Sequence, residues 1–327
     1  MFGKHMLVPT VLAALLVGAL TASAASGNAR SGPTLLLSGL GGGSGSTVGP
    51  HGDLYVTDTV AGKILRVDPH SGAATTFADC LPKQLIGIGG AMDVAFRGRT
   101  AYALVTLVDS QLGGSSVDGI YRIDGPHTCT VVTDIGAWAI AHPPCCFDFF
   151  VLSGVQYAMQ PYKDGFLVTD GHHNRVLRAR LNGSVSEIRA FDDIVPTGLE
   201  RRGKTIYVAE AGPVPHLPEN GKIVSFDARS SGVKEVASGG RLLVDVEFGP
   251  GKSLFALAQG HFTPGHDPGS PADPDTGQLL KVHGHGFSIV ASALDRPTSL
   301  EVIGETAYVV TLDGEIWKIE HIDGKAH

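Results

Sequence analysis

The sequence predicts an all-β chain: a six-bladed β-propeller with four antiparallel strands per blade, its N-terminal strand closing the last blade. Three observations carry this. The first is local. Residues 154–191 read as four short strands, 154–159, 166–170, 175–181 and 185–191, rich in Val, Ile, Tyr and Phe. Asp164-Gly165, His173-Asn174 and Asn182-Gly183 supply the turns. Four such strands make one sheet with no second layer, so the sheet must stack on copies of itself. The second observation is that the copies exist. The second-strand pattern returns around Tyr55, Tyr102, Leu167, Tyr207, Phe255 and Tyr308, at intervals of 47, 65, 40, 48 and 53 residues. The third lies at the two ends. Residues 33–40 read as a fourth strand without its first three, and the last repeat, 297–323, has three strands and no fourth. Joining them closes the ring and hides two open sheet edges.

In chain order, Lys4 and His5 precede an apolar run at 6–20, and Ala22-Ser23-Ala24 follows as a small-residue cleavage site. Residues 1–24 therefore read as an export signal and 25–32 as a leader. The apolar run is short of the ~20 residues of a membrane span, and no later stretch approaches that length. The Gly41–Gly45 run lacks the Lys-Ser/Thr ending of a phosphate loop and reads as a flexible connection. The blades follow at about 45–80, 91–135, 153–192, 195–240, 242–293 and 295–323, with 33–40 completing the sixth. No composition shift marks a second domain, and 324–327 form a tail.

The 327 residues include 43% hydrophobic and 17% charged side chains, enough to bury a large core. The formal net charge of −7 argues against a nucleic-acid partner. A secreted monomer is expected. Export puts Cys80, Cys129, Cys145 and Cys146 in an oxidising compartment, where three full pairings are open. A bond between adjacent Cys145 and Cys146 needs a strained ring, so pairing of these two with Cys80 or Cys129 is expected.

Irregular length falls at 106–119, 136–152, 211–221 and 259–277. These connections join second to third strands or one blade to the next, so they share one face of a propeller. A small molecule or a protein is expected to bind there. The candidate ligand-binding residues are Asp93, Gln156, Asp170, His172, Glu210, His216 and Asp245. Asp93 and Asp245 belong to opposed blades, and carboxylates around a channel mouth suit Ca²⁺ or Mg²⁺. A structural reading stands beside this one. Asp58, Asp170 and Asn174 sit where hairpins need side chains to satisfy backbone groups, and His172 and His173 read as exposed turn residues. The acidic stretch at 267–275 lacks the ligand spacing of an EF-hand and reads as a solvated loop. No nucleophile elbow is present.

The unit GPHGDLYVTDTVAGKILRVDPHSG at 49–72 resembles the blades of NHL-type and SMP-30/gluconolactonase-like propellers. Seven runs resemble the secreted ScyD/ScyE family: GGAMDVAF (89–96), GVQYAMQPY (154–162), GFLVTDGHHNRVLR (165–178), IVPTGLE (194–200), YVAEAGPVPHLPENGK (207–222), LLVDVEFG (242–249) and RPTSLEVIGETAYVVTL (296–312). The resemblance spans 33–323. It implies the six-bladed fold and export, and no assigned reaction. SMP-30-like lactonases hold a metal with a Glu, two Asn and an Asp at the mouth ends of inner strands. Here no Glu stands at the first position, Thr197 takes the place of one Asn, and Asp245 alone could match the Asp.

Overall fold

The computed structural model describes residues 32–145, 149–267 and 269–323. The expected export signal, most of the leader, the tail and Cys146 lie outside the described residues. Blade one is β2 (Gly43–Val48), β3 (Leu54–Asp58), β4 (Lys63–Val67) and β5 (Ala74–Ala78). Blade two is β6 (Gly90–Arg97), β7 (Thr100–Thr106), β8 (Gly119–Gly125) and β9 (Thr128–Asp134), followed by the short helix α1 (Ile135–Ala141). Blade three is β10 (Gln156–Tyr162), β11 (Gly165–Asp170), β12 (Arg175–Arg180) and β13 (Val185–Ala190). Blade four is β14 (Pro196–Arg202), β15 (Thr205–Glu210), β16 (Lys222–Asp227) and β17 (Val233–Ser238). Blade five is β18 (Leu243–Phe248), β19 (Leu254–Ala258), β20 (Gly277–His283) and β21 (Gly286–Leu294). Blade six is β22 (Pro297–Ile303), β23 (Thr306–Thr311) and β24 (Ile316–Ile319), completed by the N-terminal β1 (Thr34–Leu37).

Every blade is one four-stranded antiparallel sheet, as the repeats predict. β1 pairs antiparallel with β24, Thr34 opposite Lys318. The chain therefore enters from the face opposite the long loops.

The core lies between sheets rather than within one. Tyr55 and Ile64 of blade one pack with Val94, Ala103, Val105 and Tyr121 of blade two. Leu104 and Ile120 of blade two meet Phe166, Val168 and Leu177 of blade three. β-Branched and aromatic residues on both faces of each blade explain the near-continuous apolar second strands, β3, β11 and β19 among them, where every residue is buried. Each such Val, Leu, Ile or Phe contributes roughly 1.5–3 kcal/mol relative to exposure. Tyr55 adds edge contacts to Phe77 and Phe96, with centroids 4.9 and 4.7 Å apart.

Two expectations are corrected. Gly43 and Gly45 are not a flexible connection but part of β2, the inner strand of blade one. A Cβ on Gly45 would stand 2.5 Å from the Asp93 backbone, so glycine is there for close packing of neighbouring blades. The disulfide joins Cys80 to Cys129, with Cα atoms 5.7 Å apart, tying the exit of blade one to β9. Neither cysteine pairs with the 145–146 pair, because blade packing already brings Cys80 and Cys129 together.

Candidate functional site

The six inner strands β2, β6, β10, β14, β18 and β22 surround the axis, and all six carry a register shift at the same depth. Asp93 and Asp245 stand immediately after the shift in blades two and five. Asp93 Oδ1 accepts its neighbour Val94 N–H at 2.7 Å, and Oδ2 accepts Met159 N–H of blade three at 2.7 Å. Asp245 repeats this with Val246 N–H and with Leu300 N–H of blade six, both at 2.8 Å. Ser299 holds the corresponding place in blade six and accepts Ser46 N–H of blade one at 3.1 Å. These side chains clasp one blade to the next through otherwise unpaired backbone donors.

That geometry does not suit Asp93 and Asp245 to the Ca²⁺ or Mg²⁺ role expected of them. Every oxygen of the two carboxyls is already engaged by a backbone N–H. Among the described residues, no group of three or more His, Cys, Asp or Glu is placed to hold a metal ion.

Two residues further along each inner strand lies a second layer: Thr47, Ala95, Gln160, Glu200, Glu247 and Glu301, each opposite an anchor residue of its second strand. Three successive blades therefore put a glutamate at one register position. Sequence reasoning passed over these three, although aligning TGLE, VDVE and TSLE to Tyr207, Phe255 and Tyr308 reveals them. On the loop-face side of both layers, the Tyr157 hydroxyl of blade three crosses the axis and donates to the Thr298 carbonyl of opposed blade six at 3.1 Å. The cavity at the axis measures about 260 Å³ and is lined by Asp93, Tyr157, Asp245, Glu247 and Glu301 among others.

The other five candidates lie under the loop-rich face in two places: Gln156 and Asp170 are opposite each other on β10 and β11 with His172 nearby, and Glu210 and His216 belong to blade four. Gln156 is fully buried; its Oε1 accepts Thr106 Oγ1–H at 2.9 Å and its Nε2 donates to Ser153 O at 2.8 Å. Asp170 is equally buried. Its Oδ1 accepts Val155 N–H at 3.1 Å, and Oδ2 lies 3.1 Å from Arg175 Nε and 3.0 Å from His173 Nδ1. Burial pushes the Asp170 carboxyl up, but His173 and Arg175 together overcome this and hold it below the ordinary carboxylate range. His173, expected as an exposed turn residue, is 3% exposed because it completes this ionic cluster. Arg175 also donates to the His142 carbonyl at 2.8 Å and lies over the Trp138 ring at 5.0 Å. The cluster thereby anchors α1 and the connection after it.

His172 accepts Val151 N–H at Nε2, 3.2 Å, and packs edge-on against Phe149 and Phe150; burial and neighbouring His173 lower its pKa. Glu210 ends β15, and burial pushes its carboxyl up to about 8 while Lys222 pulls the other way. His216 is buried in the 211–221 loop, its Nδ1 2.7 Å from Gly212 O, and burial lowers its pKa. Asp58 takes the hairpin role expected of it, accepting Ala61 N–H, and also accepts Gly41 N–H; Asn174 Oδ1 instead accepts Ile194 and Val195 N–H and so holds the connection to blade four rather than its own hairpin.

What the loop-rich face does gather is apolar surface. Of the exposed large hydrophobic side chains among the described residues, Val60, Leu85, Ile86, Ile88, Phe150, Leu152, Val214 and Leu217 stand on its loops and Ile140 on α1; the remaining four, Leu35, Val131, Val233 and Ile289, lie on outermost strands. Contacts between neighbouring loops bring Leu85, Phe150 and Leu152 into one stretch of the rim. Leu85 packs against Gly114, Gln111 accepts Leu152 N–H at 3.1 Å, and Phe150, 77% exposed, lies against His172. Asp118 supports the rim from below. Its Oδ1 accepts Val108 N–H at 2.8 Å, and its carbonyl accepts Ile135 and Gly136 N–H. Sequence reasoning missed the rim because its members come from loops without periodicity.

No family model matches the chain, and no curated protein matches it in sequence. Solved structures share the fold. A gluconolactonase from Xanthomonas campestris superposes with a TM-score of 0.59 at 12% identity, covering 88% of this chain and 89% of that one. Virginiamycin B lyase from Staphylococcus aureus gives 0.52 at 13%, covering 88% and 98%. A chain of a nidogen/laminin complex gives 0.56 at 12%, covering 82% and 89%. The chain is thus similar in fold to SMP-30/gluconolactonase-like and lyase propellers, and the same fold occurs in a protein–protein complex. No helix among the described residues is long and apolar enough to cross a membrane.

Proposed function

We propose that this chain is a secreted binding propeller of the ScyD/ScyE type that engages a protein partner through the apolar rim of its loop-rich face. The observation carrying the reading is the confinement of exposed Leu85, Ile86, Ile88, Phe150 and Leu152 to adjoining loops of that face. A surface partner is favoured over a small molecule because neither the axial cavity nor the cavity at 265–274 is lined by these side chains. Large apolar and aromatic side chains on a rigid scaffold are the usual anchors of a protein interface. The Cys80–Cys129 disulfide supports export, since such bonds persist in oxidising compartments.

A metal-assisted hydrolase or lactonase is the second reading, supported by fold likeness to a gluconolactonase. Fold likeness does not carry activity, and the engaged oxygens of Asp93 and Asp245 count against it. The test compares immobilised wild type with Ile86→Ser/Phe150→Ser/Leu152→Ser on the medium of cells that make the protein. A species held by the wild type and lost by the variant, with unchanged melts, is expected. Equal retention by both would refute the reading.

A further inference from the structure

On the face opposite the long loops, charge is unevenly distributed. The hairpins joining first to second strands in blades two, three and four span 97–100, 162–165 and 201–205. They carry Arg97, Arg99, Lys163, Arg201, Arg202 and Lys204, six cations against the single acid Asp164. The matching hairpins of blades one, five and six, 49–53, 249–253 and 304–305, carry one cation, Lys252, against Asp53 and Glu305. The whole chain has 25 Lys and Arg against 32 Asp and Glu, so this sector inverts its sign. Elsewhere base is paired with acid: Arg66 meets Asp53, Lys222 meets Glu235 at 2.9 Å, and Arg296 meets Asp295 at 2.8 Å. None of the six has an ion-pair partner among the described residues. Asp164 itself is taken by Arg178 and Arg180, and Glu200, which precedes Arg201, accepts from Gln160 of blade three. What these cations touch orients them without cancelling their charge. Arg97 Nη1 donates to the Gly165 carbonyl of the next blade at 2.7 Å, and Arg201 Nη1 to the Gly203 carbonyl at 2.7 Å. Lys163, Arg178 and Arg201 stand 5.0, 5.6 and 5.9 Å from the centre of one ring, Tyr162, and Arg202 lies 5.1 Å from that of Phe248 in blade five. Like charges gathered round one ring repel one another, and an anion laid against them relieves the repulsion.

We propose that these hairpins form a docking surface for an anionic polysaccharide, a chain bearing carboxylate or sulfate groups that runs across blades two to four. Two observations choose this occupant. The cations sit on three successive hairpins and line neither the axial cavity nor the cavity at 265–274, so the surface suits an extended chain rather than one small anion. No large hydrophobic side chain is exposed on these hairpins, which leaves a bilayer no anchor and a protein interface no apolar core. Arg99, Lys163, Arg201, Arg202 and Lys204 are exposed, and such heads meet carboxylate and sulfate through charge-assisted hydrogen bonds. The choice of polysaccharide over nucleic acid rests on the export reading above; the surface itself does not depend on the rim.

The test measures binding of the full chain to polygalacturonate and to dextran sulfate, with neutral dextran, a single-stranded oligonucleotide and phosphatidylglycerol vesicles alongside. The wild type is expected to bind one or both anionic polysaccharides and to lose affinity between about 0.05 and about 0.3 M salt. At about 0.15 M salt, Arg99→Glu/Lys163→Glu/Lys204→Glu should weaken that binding at least about tenfold with an unchanged melt. The milder Arg99→Gln/Lys204→Gln should shift it in the same direction. The control Lys83→Glu/Lys234→Glu/Arg241→Glu makes the same charge change at exposed positions away from the patch, and should lose less than about threefold. The rim variant Ile86→Ser/Phe150→Ser/Leu152→Ser should bind as the wild type does, which separates this result from that of the rim. No salt-sensitive binding to either anionic polysaccharide, equal losses in patch and control variants, or tighter binding to neutral dextran, the oligonucleotide or the vesicles would overturn the proposal.

Discussion

Asp170 shows how one buried side chain organises part of the binding face. Its carboxylate compensates Arg175, whose side chain is 1% exposed and reaches the connection after α1. Asp170→Asn leaves that guanidinium buried without a counter-charge, and destabilisation of roughly 3–5 kcal/mol is expected from denaturant unfolding. A variant as stable as the wild type would contradict the role. Because the Asp170 carboxyl is held low, its contribution is present above the usual carboxylate range and is lost as pH falls below it. Asp118 behaves in the opposite sense. Burial pushes it up to about 6, and its Oδ2 and the buried Ser153 Oγ have no hydrogen-bond partner among the described residues. Asp118→Asn keeps the acceptor for Val108 and removes the buried charge. Relative to the wild type, its stability should rise as pH increases from about 4 to about 8, by roughly 1–3 kcal/mol; a relative stability that falls over that range in urea titrations would refute the assignment. The hairpin roles of Asp58 and Asp170, which accept Ala61 and His173 N–H, are legible from turn chemistry, since local backbone need fixes them; that of Asn174 is not, because its partners are Ile194 and Val195 N–H in the next connection. The burial of His173 was not, because it depends on Arg175 and on a helix from another blade. Asp93 and Asp245 stand inside β6 and β18 without a turn to explain them. Their partners are N–H groups of the next blade, which no single strand reveals.

At the scale of strands, the repeat pattern places the blades to within a few residues because each second strand carries an apolar run of three or more residues between turn signals. Residues 45–48 read as an inner strand, while Gly43 and Ser44 fall in the glycine-rich run that reads as a connection; β2 includes both, and close blade approach at Gly45 explains the glycine there. The closing strand was legible because both chain ends were incomplete. Leu36 and Leu37 of β1 pack with Tyr308, Val310 and Ile316 of blade six and with Leu54 and Val56 of blade one. Removing residues 33–38 opens the edge of β24 and exposes this cluster, so the truncated chain is expected to melt lower and to aggregate. Light scattering on heating checks this, and a truncated protein that stays monomeric with an unchanged Tm would contradict it. The channel glutamates were readable only after the inner strands are aligned through their partners, since their spacing in the chain carries no motif.

The whole molecule has two unlike faces. One carries the long loops, the apolar rim and the ionic cluster beneath it. The other carries the tight turns and the start of β1. This polarity leaves the rim open to a partner, and the crossbar of Tyr157 separates it from the acidic axis. Fold likeness to a lactonase, a lyase and a chain of a protein–protein complex shows that the scaffold alone does not choose among these uses. The side chains on the loops do. The most direct measurement is hydrogen exchange on the protein with its captured partner bound. Protection centred on 85–88, 107–118 and 149–152 is the predicted result. Protection confined to the tight-turn face or to the outermost strands β9, β17 and β21 would contradict the account.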